Sequence, residues 1–111
     1  MKKSIYVYII LSCSLFFACR KKEEIPQCID DKVNEFKQII SCNQESNIKE
    51  YKFQSKRVFV FVPGNCGADM TSEVMDENCN SLGFLGGIAG NNTINGESFD
   101  QAKYVKTIWS R

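Results

Sequence analysis

The chain has 111 residues, 43% of them hydrophobic, and its 14 basic and 13 acidic residues leave a formal net charge of +1 at pH 7. This balance disfavours a basic surface that binds nucleic acid, and it also disfavours an acidic disordered tail. Histidine is absent, which removes the commonest general base at neutral pH and both the Ser-His and Cys-His nucleophile pairs. We therefore expect no enzyme activity, no cofactor and no nucleic-acid partner.

Residues 1–18 have the layout of a secretory signal peptide. A basic start at Lys2 and Lys3 precedes an apolar run that ends at Ala18, and Cys19 and a charged segment follow. The run is about 15 residues long, shorter than the roughly 20 that a membrane-spanning helix needs. Residues 15–19 resemble the lipobox of bacterial lipoproteins, in which the cysteine is acylated and becomes the mature N-terminus. The segment therefore predicts lipidation at Cys19.

Two alternatives to this lipobox are a plain secretory cleavage site and a lipobox at Cys13. The phenylalanines at 16 and 17 fit a lipobox better than a small-x-small cleavage site. Cleavage at Cys13 would leave a short apolar stretch and expose Leu15 and both phenylalanines at the mature terminus. We expect a palmitate-bearing lipoprotein of the cell envelope, anchored in the outer membrane, because two or three acyl chains anchor stably.

Residues 19–27 are predicted to be a charged tether. Its sequence Arg20-Lys21-Lys22-Glu23-Glu24 resembles the export signal of surface lipoproteins of the Bacteroidota. The pattern is short, so the choice between the periplasmic and the surface-exposed leaflet stays open. Residues 28–111 are then expected to form a single small domain.

The domain begins with a helical pattern and continues with strand-like segments. Ile29, Val33, Phe36 and Ile40 recur at the spacing of one helix face. Apolar or alternating segments then follow at 48–53, 58–62, 73–75, 79–85 and 103–109, and a Gly/Asn-rich loop with an Asn95-Gly96 turn spans 86–100. This order predicts an α+β fold, in which one amphipathic helix packs on an antiparallel sheet of about four to five strands.

Four cysteines remain after the leader, and in an oxidising compartment they predict two disulfides that staple the domain. Cys28 and Cys42 flank the predicted helix, so they lie about 20 Å apart. A disulfide needs Cα atoms within about 7 Å, which excludes Cys28–Cys42 and with it Cys66–Cys79. The choice between Cys28–Cys66 with Cys42–Cys79 and Cys28–Cys79 with Cys42–Cys66 stays open.

Three sequence patterns resemble a group of small, functionally uncharacterised envelope lipoproteins of the Bacteroidota. The patterns are Pro63-Gly64-x-Cys66-Gly67-Ala68-Asp69, Val74-x-Asp76-x-x-Cys79-x-x-Leu82-Gly83 and Gly86-Gly87-Ile88-x-Gly90. The resemblance covers residues 28–109. It implies an envelope location and a single small domain, and it brings no catalytic residue.

The loop at 86–100 is the predicted contact surface, because loops on a stapled scaffold commonly carry recognition. Its candidate binding residues are Ile88, Asn91, Asn92, Ile94, Asn95 and Phe99. The competing interpretation is that its three apolar side chains fold back onto the core. We expect a non-catalytic binding or accessory module that recognises another envelope protein or a glycan, with the ligand and the oligomeric state left open.

The alternative function is redox chemistry or Cu(I) handling by Cys66, Cys79 and Met70, whose sulfurs suit a soft metal. Both cysteines are better explained as disulfide halves, so no metal site is predicted. The glycine run at 83–90 does not match a dinucleotide-binding fingerprint, since Leu85 stands in the place of the first glycine. The acidic cluster is given no catalytic or calcium-binding role: Asp76 and Glu77 are assigned to a turn and Asp69 to a loop, whereas Glu73 begins the predicted strand 73–75.

Overall fold

The computed structural model describes residues 24–40, 44–67 and 70–111. The predicted signal peptide, the lipidation site Cys19, the first part of the tether, Cys42 and Asp69 lie outside these residues. Their assignments, and the division of the chain into signal peptide, tether and domain, stay predictions.

The described residues form one helix and seven strands, and the α+β prediction is confirmed. A five-stranded antiparallel sheet has the order β4-β3-β2-β1-β7, and β5 pairs with β6 in a separate hairpin. The elements are α1 (Gln27–Ile39), β1 (Asn47–Phe53), β2 (Lys56–Val62), β3 (Thr71–Asp76), β4 (Ser81–Gly86), β5 (Thr93–Ile94), β6 (Glu97–Ser98), a 3₁₀ helix (Phe99–Gln101) and β7 (Lys103–Ser110).

Helix α1 begins after Pro26, whose carbonyl oxygen accepts from the Asp30 backbone N–H at 3.0 Å. Its apolar stripe is the predicted one, with Ile29 and Val33 buried. Ile40, predicted to close the stripe, is instead extended at φ −74° and ψ 121°. The guanidinium of Arg111 donates to the Ile40 carbonyl oxygen at 3.4 Å, which satisfies an acceptor at the end of the helix.

The central strand β2 is buried on both faces, as its unbroken apolar sequence predicts. On the helix side, Phe59 and Phe61 pack with Ile29 and Val33. On the other side, Val58 and Val60 pack with Phe53, Val74 and Ile94. The core therefore has two apolar layers, one on each face of the sheet.

The second layer is covered by residues 86–100, which were predicted to form a Gly/Asn-rich loop with a turn at Asn95-Gly96. The turn is confirmed, but the loop also contains the β5–β6 hairpin and the 3₁₀ helix, which were not predicted. Asn95 and Gly96 have φ values of 48° and 76°, which is the geometry of a tight hairpin turn. Ile94 is 1% exposed, and a Cβ at Gly83 would lie 3.1 Å from its Cδ1. The glycine in β4 thus lets the hairpin pack closely on the sheet.

A disulfide joins Cys28 in the first turn of α1 to Cys79 after β3, with the Cα atoms 6.1 Å apart. Cys79 has a φ of 64°, so β4 begins at Ser81 rather than at the predicted residue 79. Cys66 is also disulfide-bonded. Of the two pairings left open, the structure contains the one that links Cys28 to Cys79; the pairing of Cys42 stays a prediction.

Candidate binding groove

A groove of about 190 Å³ lies between the middle and end of α1 and the helix-side face of β2 and β3. Its floor is mostly apolar, and charged side chains of α1 and β3 stand on its rim. We call it the α1–β3 groove. It is lined by Lys32, Glu35, Phe36, Ile39, Phe61, Pro63, Thr71, Glu73 and Met75.

The groove exists because α1 covers only part of its side of the sheet. The apolar cluster under the helix includes Ile48 of β1, Phe59 of β2 and Ile108 and Trp109 of β7. The Phe36 ring packs edge-on against Phe61, with centroids 5.6 Å apart, and against Trp109 at 5.9 Å. The helix therefore lies towards the β7 edge, and within the described part of the chain β4 contributes no residue to this cluster.

A cross-strand row continues from the groove onto the uncovered part of the sheet. Phe61 pairs with Glu73, and Glu73 pairs with Phe84, so the three side chains share the helix-side face. Phe61 is 5% exposed, whereas Phe84 is 50% exposed. A carboxylate thus stands between a buried and a solvent-accessible phenylalanine.

Three charged residues stand on the groove rim within the described part of the chain. Lys32 Nζ lies 3.7 Å from Glu35 Oε2, one turn along the solvent-facing edge of α1. Glu73 has no ion pair among the described residues. The described lining residues therefore carry an excess of one negative charge, located on the sheet side of the groove.

Exposed apolar side chains gather at the same side of the molecule. Ile39, 71% exposed, ends α1 on the groove wall, and Met70 directly precedes β3. The backbone N–H of Gly87 donates to the Met70 carbonyl oxygen at 3.3 Å, which brings the turn carrying Ile88 next to the start of β3. Ile88 is 87% exposed. Tyr104 and Val105, the other exposed large apolar residues described, lie on β7 at the opposite sheet edge.

The predicted contact loop contains both exposed and packed candidate residues. The side chains of Asn91, Asn92 and Asn95 are exposed. Of its three large apolar side chains, Ile88 is exposed, Ile94 is buried, and Phe99 packs on Phe53 with ring centroids 5.0 Å apart. The competing interpretation, folding back onto the core, therefore holds for Ile94 and Phe99. Ile94 lies on β5 and Phe99 in the 3₁₀ helix that follows β6, and both side chains are turned towards the second apolar layer.

The asparagines of this loop serve its own architecture. Asn91 Nδ2 donates to the carbonyl oxygens of Phe84 at 2.6 Å and Thr93 at 3.0 Å. Asn92 Nδ2 donates to Ser98 Oγ at 3.3 Å, across the start of the hairpin. Asn95 forms the hairpin turn. The three asparagines therefore stabilise the loop itself, two through side-chain hydrogen bonds and one through its backbone conformation.

The sulfur atoms considered for a soft metal are placed as follows. Cys79 is bonded to Cys28, and Cys66 is disulfide-bonded, so neither presents a thiolate. Met70 is 37% exposed near Gly67. Across residues 24–40, 44–67 and 70–111, no group of three His, Cys, Asp or Glu side chains is arranged to hold a metal ion.

Asp76 organises the turn between β3 and β4, as predicted. Its Oδ1 accepts the backbone N–H groups of Asn78 and Asn80, each at 2.9 Å. Desolvation acts to raise the pKa of Asp76, but the hydrogen bonds from Asn80 and Asn78 and the charge of Lys56 outweigh it and lower this pKa. Its acidity is therefore explained by a structural turn.

The sequence analysis proposed none of the groove residues as a binding residue, although Phe36, Phe61 and Glu73 lie in the helix and strands predicted for them. Ile39 is not part of the predicted apolar stripe of α1. Phe84 lies on β4, which begins at Ser81, two residues after the predicted start at residue 79. Each becomes visible only through the strand register and the position of α1. The sequence offers one signal for Phe84. Leu82 and Leu85 of β4 both pack on the hairpin side although they are three residues apart, so Phe84, next to Leu85, faces the other side of the sheet.

Comparison with known proteins gives one family match. Residues 34–111 match the family described as Domain of unknown function (DUF6970), a range that covers the second half of α1, every described strand and the groove residues other than Lys32. No curated protein and no solved structure matches the chain significantly. Among the described helices none is long and apolar enough to cross a membrane.

Proposed function

The chain belongs to the DUF6970 family, and we propose that this member is a lipid-anchored protein of the cell envelope that binds another envelope protein through the α1–β3 groove. The anchor is the acylated Cys19, and the domain has no catalytic activity of its own. The groove receives apolar side chains of the partner. The membrane we propose for this anchor is the outer membrane, with either leaflet compatible.

The observation that carries this proposal is the exposed apolar surface around the groove. Contiguous exposed apolar surface with a polar rim is typical of interaction sites rather than of an inert protein surface. Ile39 and Phe84 flank the groove at 71% and 50% exposure. The groove is concave and mostly apolar, which suits protein side chains better than the polar surface of a glycan.

The position of the groove is compatible with an anchored protein. The chain enters the domain at Glu24, whose carbonyl oxygen accepts from Arg57 Nη1 at 3.0 Å. Cys28 and Cys79 lie at the same end of α1. Ile39 lies at the other end, and a helix of 13 residues is about 20 Å long. The most exposed groove residue is therefore held away from the chain entry, where a partner can reach it.

Side-chain recognition is favoured over strand addition. At the β4 edge, Gly86 exchanges backbone hydrogen bonds of 2.8 and 3.1 Å with Asn91. The Phe84 carbonyl oxygen is engaged by Asn91 Nδ2. These contacts occupy acceptors and donors that an added strand would need, as is common for protected sheet edges. The partner therefore binds across the face of the sheet rather than along its edge.

The anchor is tested by the intact mass of the native protein, isolated without reductant and with free thiols alkylated. We expect an acylated Cys19 and no alkylation of Cys28, Cys42, Cys66 or Cys79. An unacylated chain would contradict the anchor. Alkylation of Cys66 and Cys79, or a retained metal, would favour the redox or metal-handling function instead.

The binding claim is tested by comparing two surface variants of the tagged full chain in envelope extracts. Ile39→Glu places a charge on the groove wall, and Val105→Glu places one at the opposite edge, on a residue 49% exposed. We expect a discrete partner that is retained by the wild type and Val105→Glu and lost by Ile39→Glu. Equal retention by both variants, or no saturable partner, would contradict binding through the groove.

A further inference from the structure

We propose that the α1–β3 groove selects a partner segment in which an arginine or lysine side chain stands beside apolar ones. The inference rests on the proposed binding function and adds the chemistry of the partner. Glu73 pairs with the cation, and Ile39, Phe84 and the groove floor contact its apolar neighbours. The occupant is therefore a basic, apolar stretch of polypeptide.

The first argument is the place of Glu73 within the groove. It lies on β3 between Phe61 of β2 and Phe84 of β4, in one cross-strand row. Side chains opposite each other in antiparallel strands have Cβ atoms about 5 Å apart. Its carboxylate thus lies within reach of any ligand that contacts Phe84 and the apolar floor together.

The second argument is charge. Among the described residues that line the groove, Lys32 is the one cation, and its Nζ lies 3.7 Å from Glu35 Oε2 on the helix wall. Within residues 24–40, 44–67 and 70–111, Glu73 has no such partner. The sheet side of the groove therefore attracts a cation and repels a carboxylate.

The third argument is desolvation. A purely apolar segment that covered Phe84 and Ile39 would take the Glu73 carboxylate out of water without supplying a partner, which is costly. A cation on the same segment offsets that cost. Arginine suits the place best, because its flat guanidinium pairs with a carboxylate and stacks on an aromatic face such as that of Phe84.

The test uses the full chain in lipid nanodiscs and two fluorescein-labelled capped peptides, Leu-Arg-Leu and Leu-citrulline-Leu. Citrulline has nearly the shape of arginine and no charge. Fluorescence anisotropy measures both affinities for the wild type, Glu73→Gln, Ile39→Glu and Glu77→Gln. Glu77 is a matched control, since it directly follows the C-terminal end of β3 and does not line the groove.

We expect the arginine peptide to bind the wild type about tenfold more tightly than the citrulline peptide, as for a partly desolvated charge pair. Glu73→Gln should remove this difference, and Glu77→Gln should preserve it. Equal binding of both peptides that is lost in Ile39→Glu would overturn the cation selectivity and leave the groove as the binding site. Binding that neither Glu73→Gln nor Ile39→Glu weakens, or no binding of either peptide, would overturn the inference.

Discussion

Arg57 and Glu50 form a two-point ion pair across the β1–β2 hairpin, with Nη2 to Oε1 at 3.1 Å and Nε to Oε2 at 3.3 Å. Glu50 is 3% exposed, so its carboxylate depends on this partner. Arg57 also donates from Nη1 to the Glu24 carbonyl oxygen. One guanidinium thus satisfies a buried charge and fixes the segment that leads into α1.

Removing Arg57 should therefore destabilise the fold strongly. We expect Arg57→Met to cost about 3–5 kcal/mol of unfolding free energy, because it leaves Glu50 buried without a partner. Urea denaturation measures this change. The double variant Glu50→Leu/Arg57→Met should recover part of the loss. Lys32→Met, which breaks the exposed pair with Glu35, should change stability by less than about 1 kcal/mol, and an equal cost for both single variants would contradict the account.

The small hairpin should contribute to stability through Ile94. We expect Ile94→Ala to cost about 2–5 kcal/mol, since this side chain is 1% exposed and packs in the second apolar layer. Ile88→Ala is the matched control on the same segment, because Ile88 is 87% exposed. Its effect should lie within about 0.5 kcal/mol. Thermal or urea unfolding distinguishes the two, and similar values would show that the hairpin does not pack as described.

The Cys28–Cys79 disulfide closes a loop with a sequence separation of 51. Constraint of the unfolded chain by a loop of this size stabilises a domain by roughly 2–4 kcal/mol. Cys28→Ser/Cys79→Ser should lower the unfolding free energy by that amount while the fold is retained. Circular dichroism checks the secondary structure, and denaturant unfolding gives the free energy. Unchanged stability would indicate that the two sulfurs are not joined in the native protein.

Asp76 should make the fold sensitive to acid. Its pKa is lowered in the folded state, so its contribution to stability is present above the unfolded value of about 3.9 and is lost as the pH falls through the folded value. We expect Asp76→Asn to lower the melting temperature at pH 6 and to flatten its decline below about pH 4. Glu77→Gln leaves the hydrogen bonds to Asp76 in place and should keep the wild-type decline. Identical acid profiles for wild type and Asp76→Asn would contradict this role.

The sequence predicted the elements whose periodicity is set by burial. The apolar stripe of α1 and the run from Val58 to Val62 were recognisable because one face, or both, must be covered. The exclusion of a Cys28–Cys42 disulfide followed from the length of the predicted helix alone. The hairpin at 93–98 was not predicted as strand, because two-residue strands are too short to show alternation. Its Asn95-Gly96 turn was the only local signal.

The groove could not be predicted, because it depends on relations between distant elements. Phe84 and Glu73 are neighbours only through the register of β3 and β4, and Phe61 joins them only through β2. The exposure of Ile39 depends on where α1 lies across the sheet. Sequence reasoning instead favoured the Gly/Asn-rich loop, where the glycines and asparagines turned out to build turns.

The central claim is that a partner occupies the α1–β3 groove, and photo-crosslinking in living cells tests it most directly. A benzophenone amino acid replaces either Phe84 or Tyr104, which are aromatic, 50% and 57% exposed, and located on opposite edge strands. We predict that the Phe84 probe forms one discrete crosslinked adduct and the Tyr104 probe does not. The same adducts from both positions, or none from Phe84, would contradict the claim.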